Sequence, residues 1–137
     1  MSGRLYIGPF ASQPVGSMAD VSRHGLVAAV AATGLLGVVA PVGLYRVSLF
    51  QAIGVAGSNG YAQLVVKAFQ EGPTGASSFA LPPLLIGDAT SIQSGSFIIS
   101  SNGSADITYE VDFSSGAVAG SLSYSLRVLL EQLSTTA

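Results

Sequence analysis

The sequence contains no cysteine, only one histidine (His24), and few charges of either sign. Without cysteine there can be no disulfide and no thiolate-held metal. Nucleophilic catalysis needs a nucleophile, a base and a group to orient the base, and His24 stands alone in an irregular stretch. Charged residues make up 9% of the 137 positions, against about 25% in a typical soluble globular chain. The five basic residues, Arg4, Arg23, Arg46, Lys67 and Arg127, are scattered, and the formal net charge is −2. No basic stripe exists to neutralise a phosphate backbone, so nucleic acid is not an expected partner. No G-x-S-x-G elbow, P-loop, G-x-G-x-x-G, H-E-x-x-H or EF-hand pattern occurs. An enzyme is therefore not expected, nor is a cofactor. The N-terminal segment lacks a continuous apolar run, and a secretory signal is not expected. The sequon Asn102-Gly103-Ser104 then carries little weight.

What the chain does have is apolar residues, at 49%, and one uncharged run of twenty, Leu26 to Tyr45. About 20 apolar residues suffice for a membrane-spanning helix, so a small single-span membrane protein is one reading. The run is rich in alanine, which weakens insertion, and it is punctuated by Gly34, Gly37, Pro41 and Gly43. We read it instead as two short, buried strands, about Leu26 to Ala31 and Leu35 to Ala40, parted at Thr33-Gly34, with no membrane partner.

Beyond the run the period is 2. Tyr45, Val47, Leu49 and Ile53 oppose Arg46 and Ser48; Ile107, Tyr109, Val111 and Phe113 oppose Asp106, Thr108, Glu110 and Asp112. Leu122, Tyr124, Leu126, Val128 and Leu130 likewise alternate with Ser121, Ser123, Ser125, Arg127 and Glu131. Such alternation marks half-buried strands. Asn59-Gly60 and Asn102-Gly103 read as hairpin tips. Gly72 to Gly75, Pro82-Pro83, Gly87-Asp88 and Gly116 to Gly120 read as longer connections. The pattern predicts an all-β, antiparallel β-sandwich of about eight strands over residues 25–137. An extended N-terminal arm, residues 1–24, precedes it, the alternative being a short edge strand at Arg4 to Ile7 followed by a surface loop.

The acidic row Asp106, Glu110 and Asp112 is the best metal or acid/base candidate. Residues on one strand face advance about 6.6 Å every two positions, which puts Asp106 and Glu110 roughly 13 Å apart and rules out one shared ion. Pairing across strands with Arg46, Lys67 or Arg127 is the expected use of the row. In the arm, Arg4, Leu5, Tyr6 and Phe10 form a candidate partner-docking element, because an aromatic side chain on an extended segment can anchor an interface.

At Gly43 to Ile53 (GLYRVSLFQAI) and Ser104 to Leu133 (SADITYEVDFSSGAVAGSLSYSLRVLLEQL), the chain resembles small jelly-roll structural proteins of tailed bacteriophages. The likeness covers roughly Leu26 to Leu133 and leaves the arm outside. It implies a jelly-roll-like sandwich in a virion: a capsid decoration or cement protein, often trimeric, whose partners are the major capsid protein and its own copies. A tail or head-fibre sandwich that recognises a host surface is the alternative from the same setting.

Overall fold

The computed structural model describes residues 16–70, 72, 74–114 and 122–136. Nine strands lie among them: β1 (Gly16–Leu26), β2 (Val30–Gly34), β3 (Gly43–Val55), β4 (Tyr61–Ala68), β5 (Ser77–Ala80), β6 (Leu84–Leu85), β7 (Ile92–Ser101), β8 (Thr108–Phe113) and β9 (Ser123–Ser134). No helix of the described residues is long and apolar enough to cross a membrane.

The strands form two antiparallel sheets. One has the order β1-β9-β3-β7; the other runs β2-β8-β4-β5, with the two-residue β6 also paired to β4. Consecutive strands therefore alternate between sheets along most of the chain, which is the double-sheet, jelly-roll-like form of the sandwich. The sequence expectation of an all-β antiparallel sandwich holds, with nine strands rather than about eight.

Alternation places the core. On β3, Tyr45, Val47, Leu49 and Ile53 point inward, and on β9 so do Tyr124, Leu126, Val128 and Leu130. They meet Ala62, Leu64, Val66 and Ala68 of β4 and Tyr109 and Val111 of β8. Full burial of one such aliphatic side chain contributes about 1.5–3 kcal/mol. Phe79 of β5 and Phe97 of β7, with ring centroids 5.6 Å apart, close one side of the sandwich between the two sheets.

Several local expectations are corrected. Residues 16–24, expected in the arm, belong to β1, which pairs with β9 from Gly16↔Gln132 to Leu26↔Tyr124, and the rest of the expected arm lies outside the described residues. Register shifts between Ser17 and Ala19 and between Arg23 and Leu26 break the period of 2, so no alternation could be read there. The uncharged run begins at the end of β1 and closes on the start of β3; the strand wholly inside it is Val30–Gly34, which runs into the expected break, while residues 35–42 form a connection. The run is also not fully buried: Val30, Leu35, Ala40 and Tyr45 reach the core, but Val27, Val38, Val39 and Val42 are exposed. Alanine side chains are too small to fill a core layer, and β2 lies at a sheet edge where little covers it.

Both Asn-Gly pairs make turns, with Gly60 at φ +87° and Gly103 at φ +81°. They are corners rather than hairpin tips, because each joins a strand of one sheet to a strand of the other. The Gly116 to Gly120 connection lies outside the described residues.

Gln51 occupies a core-facing position on β3 with no exposure. Its amide nitrogen donates to the Pro82 carbonyl at 3.1 Å, and its Oε1 has no partner among the described residues. Gln51→Glu places a carboxylate in that unpartnered position and is expected to cost about 3 kcal/mol or more at neutral pH. Burial raises the pKa of the new carboxyl, so the loss shrinks as pH falls and the group protonates. Urea unfolding at neutral and acidic pH measures both effects.

Candidate interaction surfaces

Of the expected docking residues, Arg4, Leu5, Tyr6 and Phe10 all lie outside the described residues. The acidic row is divided by the fold. Asp106 precedes β8 and works as a loop anchor: its carboxylate accepts hydrogen bonds from the backbone N–H groups of Leu36 at 3.2 Å, Gly37 at 2.9 Å and Ile107 at 2.8 Å. Glu110 pairs across the strands with Lys67 at 3.2 Å, as the row was expected to do. Asp112 shares the outer face of β8 with Glu110. Partial desolvation, followed by the neighbouring Glu110 carboxyl, raises its pKa, and Lys67 partly opposes this. No group of three potential metal-ligating side chains is found among the described residues.

The uncharged run is held rigidly by its backbone. Tyr124, buried in β9, donates its hydroxyl to the Ala28 carbonyl at 2.6 Å. Burial, partly offset by the charge of Arg23, pushes the pKa of this hydroxyl up to about 12, so it stays a donor across the physiological range. Tyr45, buried in β3, donates likewise to the Pro41 carbonyl at 2.6 Å. The Leu35 N–H bonds the Ile107 carbonyl at 2.8 Å, and the Ala40 N–H bonds the Ala105 carbonyl at 3.0 Å. Ser101 Oγ donates to the Ala40 carbonyl at 3.0 Å. These bonds satisfy the polar backbone and leave the valine side chains facing outward.

Where the edges of the two sheets meet, an open cleft of about 430 Å³ runs between β1 and β2. Its walls are Gly25 to Ala31 and Thr33, with Arg23 as the one charged lining residue. Arg23 is half-buried, and its side chain reaches the Tyr109 hydroxyl at only 3.4 Å. The other three arginines and lysines of the described residues, Arg46, Lys67 and Arg127, each pair with a carboxylate. A half-buried cation with no carboxylate partner among the described residues, set in an open cleft, favours an incoming anionic or acceptor group.

Comparison with protein-family models and with curated proteins finds no match to this chain.

Sequence reasoning did not bring the cleft together. Arg23 was counted only among the scattered basic residues, and Leu26 to Ala31 only as a buried strand, because β1 had no readable period. Its signal was present only as a lone cation beside a twenty-residue uncharged run. Phe50, an aromatic on the polar side of an otherwise regular strand, was the other legible sign of an unusual surface.

Asp106→Ala removes the acceptor for three backbone donors and is expected to cost about 1–3 kcal/mol, with hydrogen exchange at Leu36 and Gly37 rising most. For Asp112 the folded pKa lies above the ordinary 3.8, so its favourable contribution is present below that value and is lost as pH rises through the raised one. Asp112→Asn should therefore raise the melting temperature at pH 7, with the gain vanishing in acid, as measured by circular dichroism.

Proposed function

We propose that this chain is a non-enzymatic structural protein of a virion, a decoration or cement protein that oligomerises and binds the capsid shell. The observation that carries the reading is the exposure of the uncharged run on a firmly hydrogen-bonded surface. Four valines there stand 44–67% exposed. Charged residues are depleted at the centres of protein interfaces, and an exposed apolar area of this kind marks an interaction surface. The likeness at Gly43 to Ile53 and Ser104 to Leu133 supplies the viral setting, and with it the trimeric state. The jelly-roll-like order of the strands is compatible with that setting, although the same fold serves many functions.

The mechanism is burial. Covering the exposed parts of Val27, Val38, Val39 and Val42 against shell subunits would contribute several kcal/mol at about 25 cal/mol per Å², before the cost of association. The Arg23 cleft adds one polar contact, with a carboxylate or carbonyl of the shell protein as its complement. Repetition over a shell multiplies a modest affinity per site.

The test is co-sedimentation of purified protein with shells assembled without it. Val38→Asp combined with Val39→Asp leaves the core untouched and is expected to weaken binding at least roughly tenfold, the equivalent of about 1.4 kcal/mol. Undiminished binding by a folded double variant would remove this surface from the reading.

A further inference from the structure

The two outer faces of the sandwich differ in chemistry. On the β2-β8-β4-β5 sheet, the outward row includes Lys67, Glu110 and Asp112, one positive and two negative groups. The outward face of the β1-β9-β3-β7 sheet is rich in serine (Ser22, Ser48, Ser94, Ser96, Ser125), interrupted by apolar side chains where a solvated face would carry polar ones. Phe50 of β3 stands 39% exposed near its middle, opposite Arg127 of β9 and Ser94 of β7, with Leu129 diagonal to it across the β3–β9 pair, and Ile98 of β7 is 56% exposed opposite Arg46. We infer that this face is where copies of the chain meet, turned toward the common axis of the oligomer with Phe50 at the centre of the contact.

Three observations favour a second copy as the occupant. The first is charge. The four charged side chains of the face are closed into two ion pairs, Arg127 with Asp20 at 2.8 Å and Arg46 with Glu131 at 3.4 Å. The face is therefore neutral overall and does not repel its own image, whereas the opposite face, with a net negative row, would. The second is shape. Phe50 and Arg127 stand between two hollows and wall both: one of about 130 Å³ with Ser48 and Leu129, the other of about 470 Å³ with Ser22, His24 and Ser125. One surface thus supplies both an exposed ring and the depressions that a neighbour's ring or leucine could enter, which is what a heterologous contact repeated around an axis requires. The third is area. Four strands spaced about 4.8 Å apart, with about ten residues each at roughly 3.4 Å, give a footprint near 650 Å². A standard interface uses about 800 Å² per partner, so this face alone comes close to what a stable contact needs.

The inference rests on the oligomeric part of the proposed function and names the surface responsible. It is tested by sedimentation equilibrium on the full chain, whose monomer mass is 13.8 kDa. The wild type is expected at a whole-number multiple of that mass, and Phe50→Asp and, separately, Ile98→Asp at the monomer mass with unchanged far-ultraviolet circular dichroism. Tyr61→Asp, on the outward row of the other sheet, should leave the multiple intact. A monomeric wild type, or variants that keep the wild-type mass, would overturn the inference. Shell co-sedimentation of the same proteins separates the two ideas: a monomeric Phe50→Asp that still binds shells through the valine surface leaves the shell-binding role standing. If the wild type is oligomeric but binds no shell, that role fails while this contact survives.

Discussion

The uncharged run can sit on the surface only because its backbone is tied down from beneath. Buried tyrosines of β3 and β9 and the carboxylate of Asp106 reach outward to the carbonyl and N–H groups of residues 28–41. An exposed apolar loop without such anchors would fold back to cover its valines. Here the hydrogen-bond acceptors and donors are claimed by groups already fixed in the core, so the loop path is set and its side chains face solvent. The same tyrosine rings fill the space between the sheets, with Tyr124 lying 6.1 Å from the ring of Phe113. One residue thereby couples core packing to surface shape.

That coupling divides the molecule by chemistry. The core lies between two alternating sheets; one outer face carries the unbalanced row Lys67, Glu110 and Asp112, and the other carries two closed ion pairs and serines around Phe50. The third surface, at the β1–β2 edge, has alanines, valines and Arg23. With only 9% of residues charged, the chain cannot surround itself with ions on every side. Where the few charges stand, close in pairs, they neutralise each other, and exposed pairs of this kind add little to stability. Their effect is on which surfaces can approach one another. Asp20 shows this in its pKa, which the Arg127 guanidinium beside it holds below the ordinary value. That contribution is present above the unfolded pKa and is lost as pH falls.

The sequence announced its strands wherever the period of 2 was unbroken. β3, β8 and β9 were legible because each places apolar side chains at every second position against a solvated opposite row. β1 was not, since two register shifts bring Met18, Ala19 and Val21 toward the core out of strict alternation. The uncharged run misled in the other direction: twenty apolar residues suggest burial, yet burial depends on what lies opposite, and an edge strand has a neighbour on one side only. The Asn-Gly pairs gave the turns correctly but not their partners, because the local φ of a glycine carries no information about which sheet the next strand joins. The cleft at Arg23 is assembled from two strands belonging to different sheets, and such a juxtaposition leaves no local pattern.

An exposed, uncharged sheet edge invites uncontrolled strand addition, and β2 carries features that oppose it. It is five residues long, ends in Gly34, and has a register shift against β8 between Val30 and Thr33. Short, irregular edges offer a poor template for a neighbouring strand. Its flanking connections are meanwhile pinned, which presents valine side chains rather than a free row of backbone donors and acceptors. Association is thus directed into side-chain contacts, whose geometry is specific, and away from backbone pairing, which accepts almost any partner. For a chain with so little charge to keep copies apart, the irregularity of one edge strand is what allows an apolar surface to be displayed without becoming an aggregation site.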